Sequence, residues 1–193
     1  QKGLRAERCV KQAREQIAAQ IGAKPQEIIF TSGGTESNNM AVRGVMHNRA
    51  KRGRHLIISS VEHQSVMQTA RALLEEDFDF DLLPVNGQGV INLAAVPKMI
   101  RPDTVLVSVM LVNNEVGALQ PIAELRQAMN SVRANLLLHV DAVQGFGKMP
   151  LDVHQLGIDF LSVSGHKLHA PKGTGFLYVR QGLRVPPLLT GGG

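Results

Sequence analysis

Apolar positions along this chain switch between two periods, and the switches mark out its elements. Val10, Ala13, Ile17 and Ile21 recur at helical spacing with Arg, Lys, Gln and Glu between them, and Gly22 follows as a stop. Glu27–Thr31 reads as a short strand, and after a turn of small residues a helical stretch runs from about Glu36 to Arg52. His55–Ser60 is a second strand, and the helix that opens over Ser60–Ser65 continues to about Glu76. Phe78–Val85 alternates as a strand does, Asn86-Gly87 is a turn, and Leu93–Ile100 is a short helix broken by Pro97 near its start. Thr104–Val112 is apolar enough to be a central buried strand. A helix follows Pro121 to about Arg133, then a buried strand at Leu136–Val140. A further apolar run ends in Asp159-Phe160-Leu161, and a last one spans Gly175–Val179. Strands alternating with helices predict an α/β domain.

Composition narrows this only a little. With 193 residues and 44% hydrophobic content the chain suits one domain with a substantial core. It has no apolar run of membrane-spanning length and no charged-then-apolar leader, so a soluble protein, with no membrane partner, is expected. The single cysteine, Cys9, excludes an internal disulfide and a cysteine metal cage, and fits a reducing cytoplasmic setting. Its place inside the first helix predicts a small buried or half-buried role. The net charge is +5, with much of the excess in Arg49–Arg54, which reads as a solvated helix end. One Tyr, no Trp and no binding motif argue against direct contact with nucleic acid, whereas an anionic small molecule suits the charge. A start at Gln1 without methionine and a finish at Gly191-Gly192-Gly193 read as a piece of a longer protein.

The residues that carry chemistry fall where the elements end. Ser164-Gly165-His166-Lys167 leads into a Pro/Gly loop between two strands. A lysine held there can be placed rigidly and partly desolvated, the state in which an amine condenses with an aldehyde. Ser32-Gly33-Gly34-Thr35, between a strand and a helix start, makes an anion site from free backbone N–H groups, or else Thr35 or Ser32 simply caps the helix. It matches neither a P-loop nor a dinucleotide fingerprint. His63 stands at a strand-to-helix junction, either at a ligand edge or as a capping residue. Asn113-Asn114-Glu115 puts polar groups at the tip of a buried strand, which is costly unless something polar sits there. Asp141 ends another strand, with Gln144 three residues on. It can cap or turn the chain, or hold a protonated ring nitrogen. In an α/β sheet such ends share one rim. A lysine amine, an acid, an anion cradle and a planar histidine together meet the needs of pyridoxal 5′-phosphate (PLP). Lys167 would take its aldehyde as a Schiff base, and Asp141 would keep its pyridine nitrogen protonated.

Thr31–Asn39, Glu62-His63, Val112–Gly117, His139–Gln144 and Ser164–Lys167 resemble the motifs of the cysteine desulfurases, in order and over essentially the whole chain. These enzymes belong to the class V aminotransferase family of fold-type I PLP enzymes. The resemblance implies a three-layer α/β sandwich with a mostly parallel mixed central sheet. It implies Lys167 as the lysine on the cofactor aldehyde, His63 stacked on the pyridine face and active as acid and base, and Asp141 on the ring nitrogen. Gln144 and Asn114 would serve the ring hydroxyl side, and Gly34, Thr35, Ser164 and His166 the phosphate. The implied reaction converts L-cysteine to L-alanine and leaves a persulfide for a sulfur-acceptor protein, in a homodimer. Whether that sulfur serves iron–sulfur cluster assembly, tRNA thiolation or another acceptor stays open.

The chain also departs from the family pattern. Ala170 replaces the usual glycine before Pro-Lys-Gly, so a different backbone angle is expected there. Cys9 does not match the persulfide cysteine, which is expected beyond Gly193 together with a substrate-binding arginine and a small C-terminal domain. An N-terminal segment and a phosphate ligand from a second subunit are expected outside residues 1–193 as well. On that reading these residues are an incomplete PLP-binding large domain, not expected to desulfurate alone. A selenocysteine lyase or another class V aminotransferase is the near alternative. The distant one is a non-enzymatic metal-binding or interaction protein using His166 and His169, near Asp141 and His139; no metal is expected on the main reading.

Overall fold

Seven of the apolar runs become strands of one sheet. The structure is a computed structural model that describes residues 2–188 and Gly191. The strands are β1 (Ile28–Thr31), β2 (His55–Ser59), β3 (Asp79–Leu83), β4 (Thr104–Met110), β5 (Leu137–Asp141), β6 (Phe160–Ser164) and β7 (Gly175–Val179), in the spatial order β1-β7-β6-β5-β4-β2-β3. β3, β2, β4, β5 and β6 pair in parallel, and only β7 runs against its two neighbours. The helices are α1 (Lys2–Gln20), α2 (Gly34–Asn48), α3 (Gln64–Leu74), α4 (Val96–Met99) and α5 (Ile122–Val132).

Parallel strands buried on both faces need apolar side chains on both, which is why β4 is buried throughout. Val107, Leu138, Val140 and Leu161 meet Ala18, Val96, Leu125 and Met129, from α1, α4 and α5. On the other face Leu56, Ile58, Leu106, Leu137 and Phe160 meet Ala41 and Val45 of α2 and Val66 and Leu73 of α3. The result is the three-layer sandwich, with the C-terminal ends of the parallel strands on one rim.

Several expectations need correction. The run expected to end at Leu161 is where β6 begins. Asp159 is occupied outside the sheet by Arg126, Arg180 and the Leu138 N–H, and Ser162 and Ser164 enter the strand because each hydroxyl finds a histidine partner. Pro97 does not break a helix but sits in the first turn of α4, where a missing N–H costs nothing. Cys9 is exposed, because the first half of α1 stands clear of the domain and the helix packs only from Ala13 onward. Val10 is accordingly 49% exposed. Residues 142–159, which carry no periodic pattern, cross from β5 to its parallel neighbour β6 as a series of turns pinned by buried Leu151, Val153 and Ile158. Ala170 does not adopt a positive φ. The left-handed residues of that loop are His169, at φ 61°, and Gly173, at φ 81°, so a Cβ at position 170 brings no backbone strain.

Candidate functional site

The rim carries a cavity of about 230 Å³ lined by Gly34, Thr35, Asn38, His63, Ser65, Met110, Asn114, Asp141, Val143, Gln144, Ser164, His166 and Lys167. The nine residues singled out in the sequence therefore share one wall.

Register explains the convergence. Met110 of β4 pairs with Asp141 of β5, and Ser164 of β6 pairs with Gly175 of β7, which pairs in turn with Thr31 of β1. Each chain leaves the sheet just past these positions. Asn113 folds its exit into a turn by accepting from the N–H groups of Glu115 and Val116, at 3.0 and 2.9 Å, which leaves Asn114 to face the cavity. The exit of β6 is one turn of 3-10 helix, Gly165–Leu168, with the Ser164 hydroxyl 2.6 Å from His166 Nδ1.

The start of α2 is uncapped by any side chain. Gly33 is its N-cap with no side-chain hydrogen bond, so neither Thr35 nor Ser32 caps it, and Glu36 instead accepts from the Ser32 N–H. The first-turn N–H groups of α2 remain available to an anion. Gly34 forms a cradle: a Cβ there would lie 2.7 Å from Val143 Cγ2 and 3.5 Å from Ser164 Cβ, in space at the cavity wall.

Asp141 is 4% exposed and, among the described residues, forms no salt bridge. Its Oδ1 accepts from the Val143 N–H at 3.0 Å and its Oδ2 from Asn38 Nδ2 at 2.7 Å. Burial raises its pKa, against the pull of these hydrogen bonds and of nearby His63. It is thus both a turn former and a buried carboxyl at a cavity. His63 likewise serves twice, capping α3 through Nδ1, which accepts from the Ser65 N–H at 3.1 Å, while lining the cavity.

Lys167 lies in the wall but is exposed, contrary to the expected desolvation. The 3-10 turn that carries it sits on the rim, and no other described residue of this chain covers it. His139 is fully buried between Ser108 and Ser162, at 2.7 and 2.9 Å, which removes it from His166 and His169. Among the described residues no group of three His, Cys, Asp or Glu is placed to hold a metal ion.

Sequence reasoning missed Asn38, Ser65, Met110 and Val143 as wall residues, and the role of Glu62. Glu62 is buried beside His63, accepting from the Ser59 hydroxyl and, at 2.7 Å, from the Met110 N–H, which ties the start of α3 to the end of β4. Burial pushes its pKa up to about 8, with Asp141 adding to the rise. An acid next to a histidine at a strand end was the available signal.

Comparison with known proteins decides the family. The model of class V aminotransferases matches residues 1–193. The chain belongs to the class V aminotransferase family. A mitochondrial cysteine desulfurase of Candida maltosa is 48% identical over 193 residues, covering 99% of this chain and 40% of that protein. A solved NifS-like protein superposes with a TM-score of 0.95 at 39% identity, covering 98% of this chain and 52% of the other. SspA, solved in complex with cysteine, gives 0.93 at 42% identity, covering 98% and 55%. The chain spans about half the length or less of the relatives it matches. Class V aminotransferases are PLP-dependent enzymes. Their cofactor fits this cavity on three observations: a buried carboxyl without a salt bridge among the described residues, an uncapped helix start with a cradle at Gly34, and a lysine in the same wall.

Proposed function

We propose that the protein is a PLP-dependent cysteine desulfurase, converting L-cysteine to L-alanine and passing the sulfur to a thiol as a persulfide. The observation that carries the reading is that Lys167 and the buried Asp141 line one cavity with the free start of α2. Relatives named cysteine desulfurases, at 48% identity, supply the substrate.

Lys167 would hold the cofactor aldehyde through Nζ. Gly34, Thr35, Ser164 and His166 would take the phosphate, since free N–H groups at a helix start and two polar side chains form an anion site. Asp141 would hold the proton of the ring nitrogen. A cationic nitrogen beside it favours the ionised carboxylate that burial opposes, so binding and ionisation support each other. Asn114 and Gln144 would face the ring hydroxyl, and His63 would lie on the ring. When bound, the group withdraws electrons from the substrate Cα and weakens its bonds. His63 keeps Nδ1 engaged with Ser65 and moves protons at Nε2.

In balance, the cysteine C–S bond breaks, Cβ gains a proton and is reduced, and the receiving thiol is oxidised to a persulfide. Cys9 is not among the cavity residues, so the receiving cysteine is assigned outside this segment, as are the small domain and the N-terminal segment. We read the protein as a cytoplasmic homodimer serving a sulfur-acceptor protein. Support for the dimer comes from the apolar side chains Leu4 and Val10, bare on α1.

The test uses the intact protein with PLP and L-cysteine. Alanine should form in step with persulfide sulfur. Borohydride should fix the cofactor to wild type but not to Lys167→Ala, whose stability should stay within about 0.5 kcal/mol because the side chain is exposed. Pyruvate in place of alanine, or equal fixation in both proteins, would refute the reading.

A further inference from the structure

Two polar side chains of the cavity wall, Asn38 of α2 and Ser65 of α3, join Asp141 to His63. Asn38 is buried, and its Nδ2 has two protons to donate. One reaches Asp141 Oδ2 at 2.7 Å and the other reaches Ser65 Oγ at 2.8 Å. A flipped amide would set its oxygen against the carboxylate, acceptor to acceptor, so Asp141 fixes the way Asn38 points. Ser65 Oγ therefore accepts from Asn38, and its own proton is left for His63 Nδ1, 2.8 Å away. The Ser65 backbone N–H donates to that same nitrogen at 3.1 Å. A ring nitrogen that accepts from two donors carries no proton of its own, so the neutral imidazole keeps its proton on Nε2.

The arrangement has a cost that packing alone does not explain. Asn38 Oδ1 is buried without a hydrogen-bond partner among the described residues, the penalty of turning both N–H groups toward Asp141 and Ser65.

We infer that Ser65, oriented by Asn38, is a positioning residue that sets the tautomer of His63 and so presents Nε2–H to whatever binds in the cavity. The use of that proton rests on the desulfurase reading; the tautomer does not.

The experiment labels the ring nitrogens of histidine with 15N in the intact protein, without cofactor and at a pH well above the imidazole range. His63 is assigned by its loss in His63→Gln. Wild type should show a protonated Nε2 and a hydrogen-bonded, unprotonated Nδ1. In Ser65→Ala the Nδ1 resonance should move toward that of a free acceptor and the second tautomer should appear. Ser65→Thr, which keeps the hydroxyl and the N–H, should restore the wild-type pattern. Asn38→Ala should move Nδ1 in the same direction by less, and serves if Ser65→Ala does not fold. With PLP and L-cysteine, kcat of Ser65→Ala should fall about tenfold or more with KM little changed, and Ser65→Thr should recover it. A proton on Nδ1 in wild type, or resonances that Ser65→Ala leaves in place, would overturn the inference even if alanine is formed. The expected resonances without alanine formation would instead sink the desulfurase reading and leave the relay standing.

Discussion

Glu62 and His139 show how burial turns single side chains into pH sensors of the fold. Glu62 has an ordinary value of 4.5 and a folded value of about 8, so the native state holds a proton that the unfolded chain has released. Its contribution is complete below about pH 4.5 and is lost as pH rises toward 8. His139 has the opposite sign: desolvation pushes it from 6.5 down to about 3, so it costs stability as pH falls below 6.5 and is silent above. The interval from pH 6.5 to 8 therefore belongs to Glu62. In urea unfolding of the cofactor-free protein, wild type should lose on the order of 2 kcal/mol across that interval. Glu62→Gln, which can still accept from Ser59 and Met110, should flatten most of the slope. An unchanged slope would show that Glu62 is ionised in the fold. None of this is legible from the pair Glu62-His63 as letters, because desolvation depends on what packs over a side chain.

At the scale of elements, the site depends on how closely β1, β7 and the start of α2 approach. Gly175 of β7 lies against the turn before α2: a Cβ there would sit 2.6 Å from Gly33 Cα and 2.6 Å from the Val163 carbonyl oxygen. Both obstacles are backbone and cannot rotate away. Gly175→Ala should therefore cost about 1–3 kcal/mol in unfolding and, by moving Gly33 and Gly34, weaken PLP binding as well. Full stability with normal binding would show that the turn gives way freely. Ser37 holds the same junction from the other side, its hydroxyl donating to the Phe176 carbonyl at 3.0 Å. The strand over Gly175–Val179 was readable from its apolar run to the residue. The bounds of α2 and α3 were not, since Gly33 and His63 set them through backbone and ring contacts that periodicity does not carry.

Across the whole molecule, the cavity and the Asp159 ion-pair cluster lie at opposite ends of the strands. At the edge where β6 begins, Asp159 receives Arg126 and Arg180, each at 2.6 Å, and also the Leu138 N–H. Arg126 also donates to the carbonyls of Leu136 and Gly157, so this trio ties the entrances of β5 and β6 to α5. Asp159→Ala would leave the largely buried Arg126 charge without its carboxylate, at a cost of about 3–5 kcal/mol. PLP affinity of the fraction that stays folded should match wild type, since the rim is untouched. A loss of affinity with unchanged stability would reverse the division. This arrangement also sorts what could be read early. Strand runs and the motifs at their ends were visible, because burial on two faces demands continuous apolar sequence and a ligand rim demands polar residues just after it. The crossover at 142–159 was not, because its turns are held by scattered contacts such as Val153 and Ile158 and follow no period.

The order of residues alone determined the α/β alternation, the family and nine cavity residues, since each rests on local pattern: apolar period, strand-end polarity and motif spacing. Tertiary structure decided that Lys167 stands exposed, that Glu62 is buried close enough to Asp141 for that carboxyl to add to its rise in proton affinity, and that Asn38 and Ser65 connect Asp141 to His63. The two Asn38 contacts join residues 27 and 103 positions apart, and hydrogen bonding and desolvation at such separations depend on three-dimensional neighbours and not on succession.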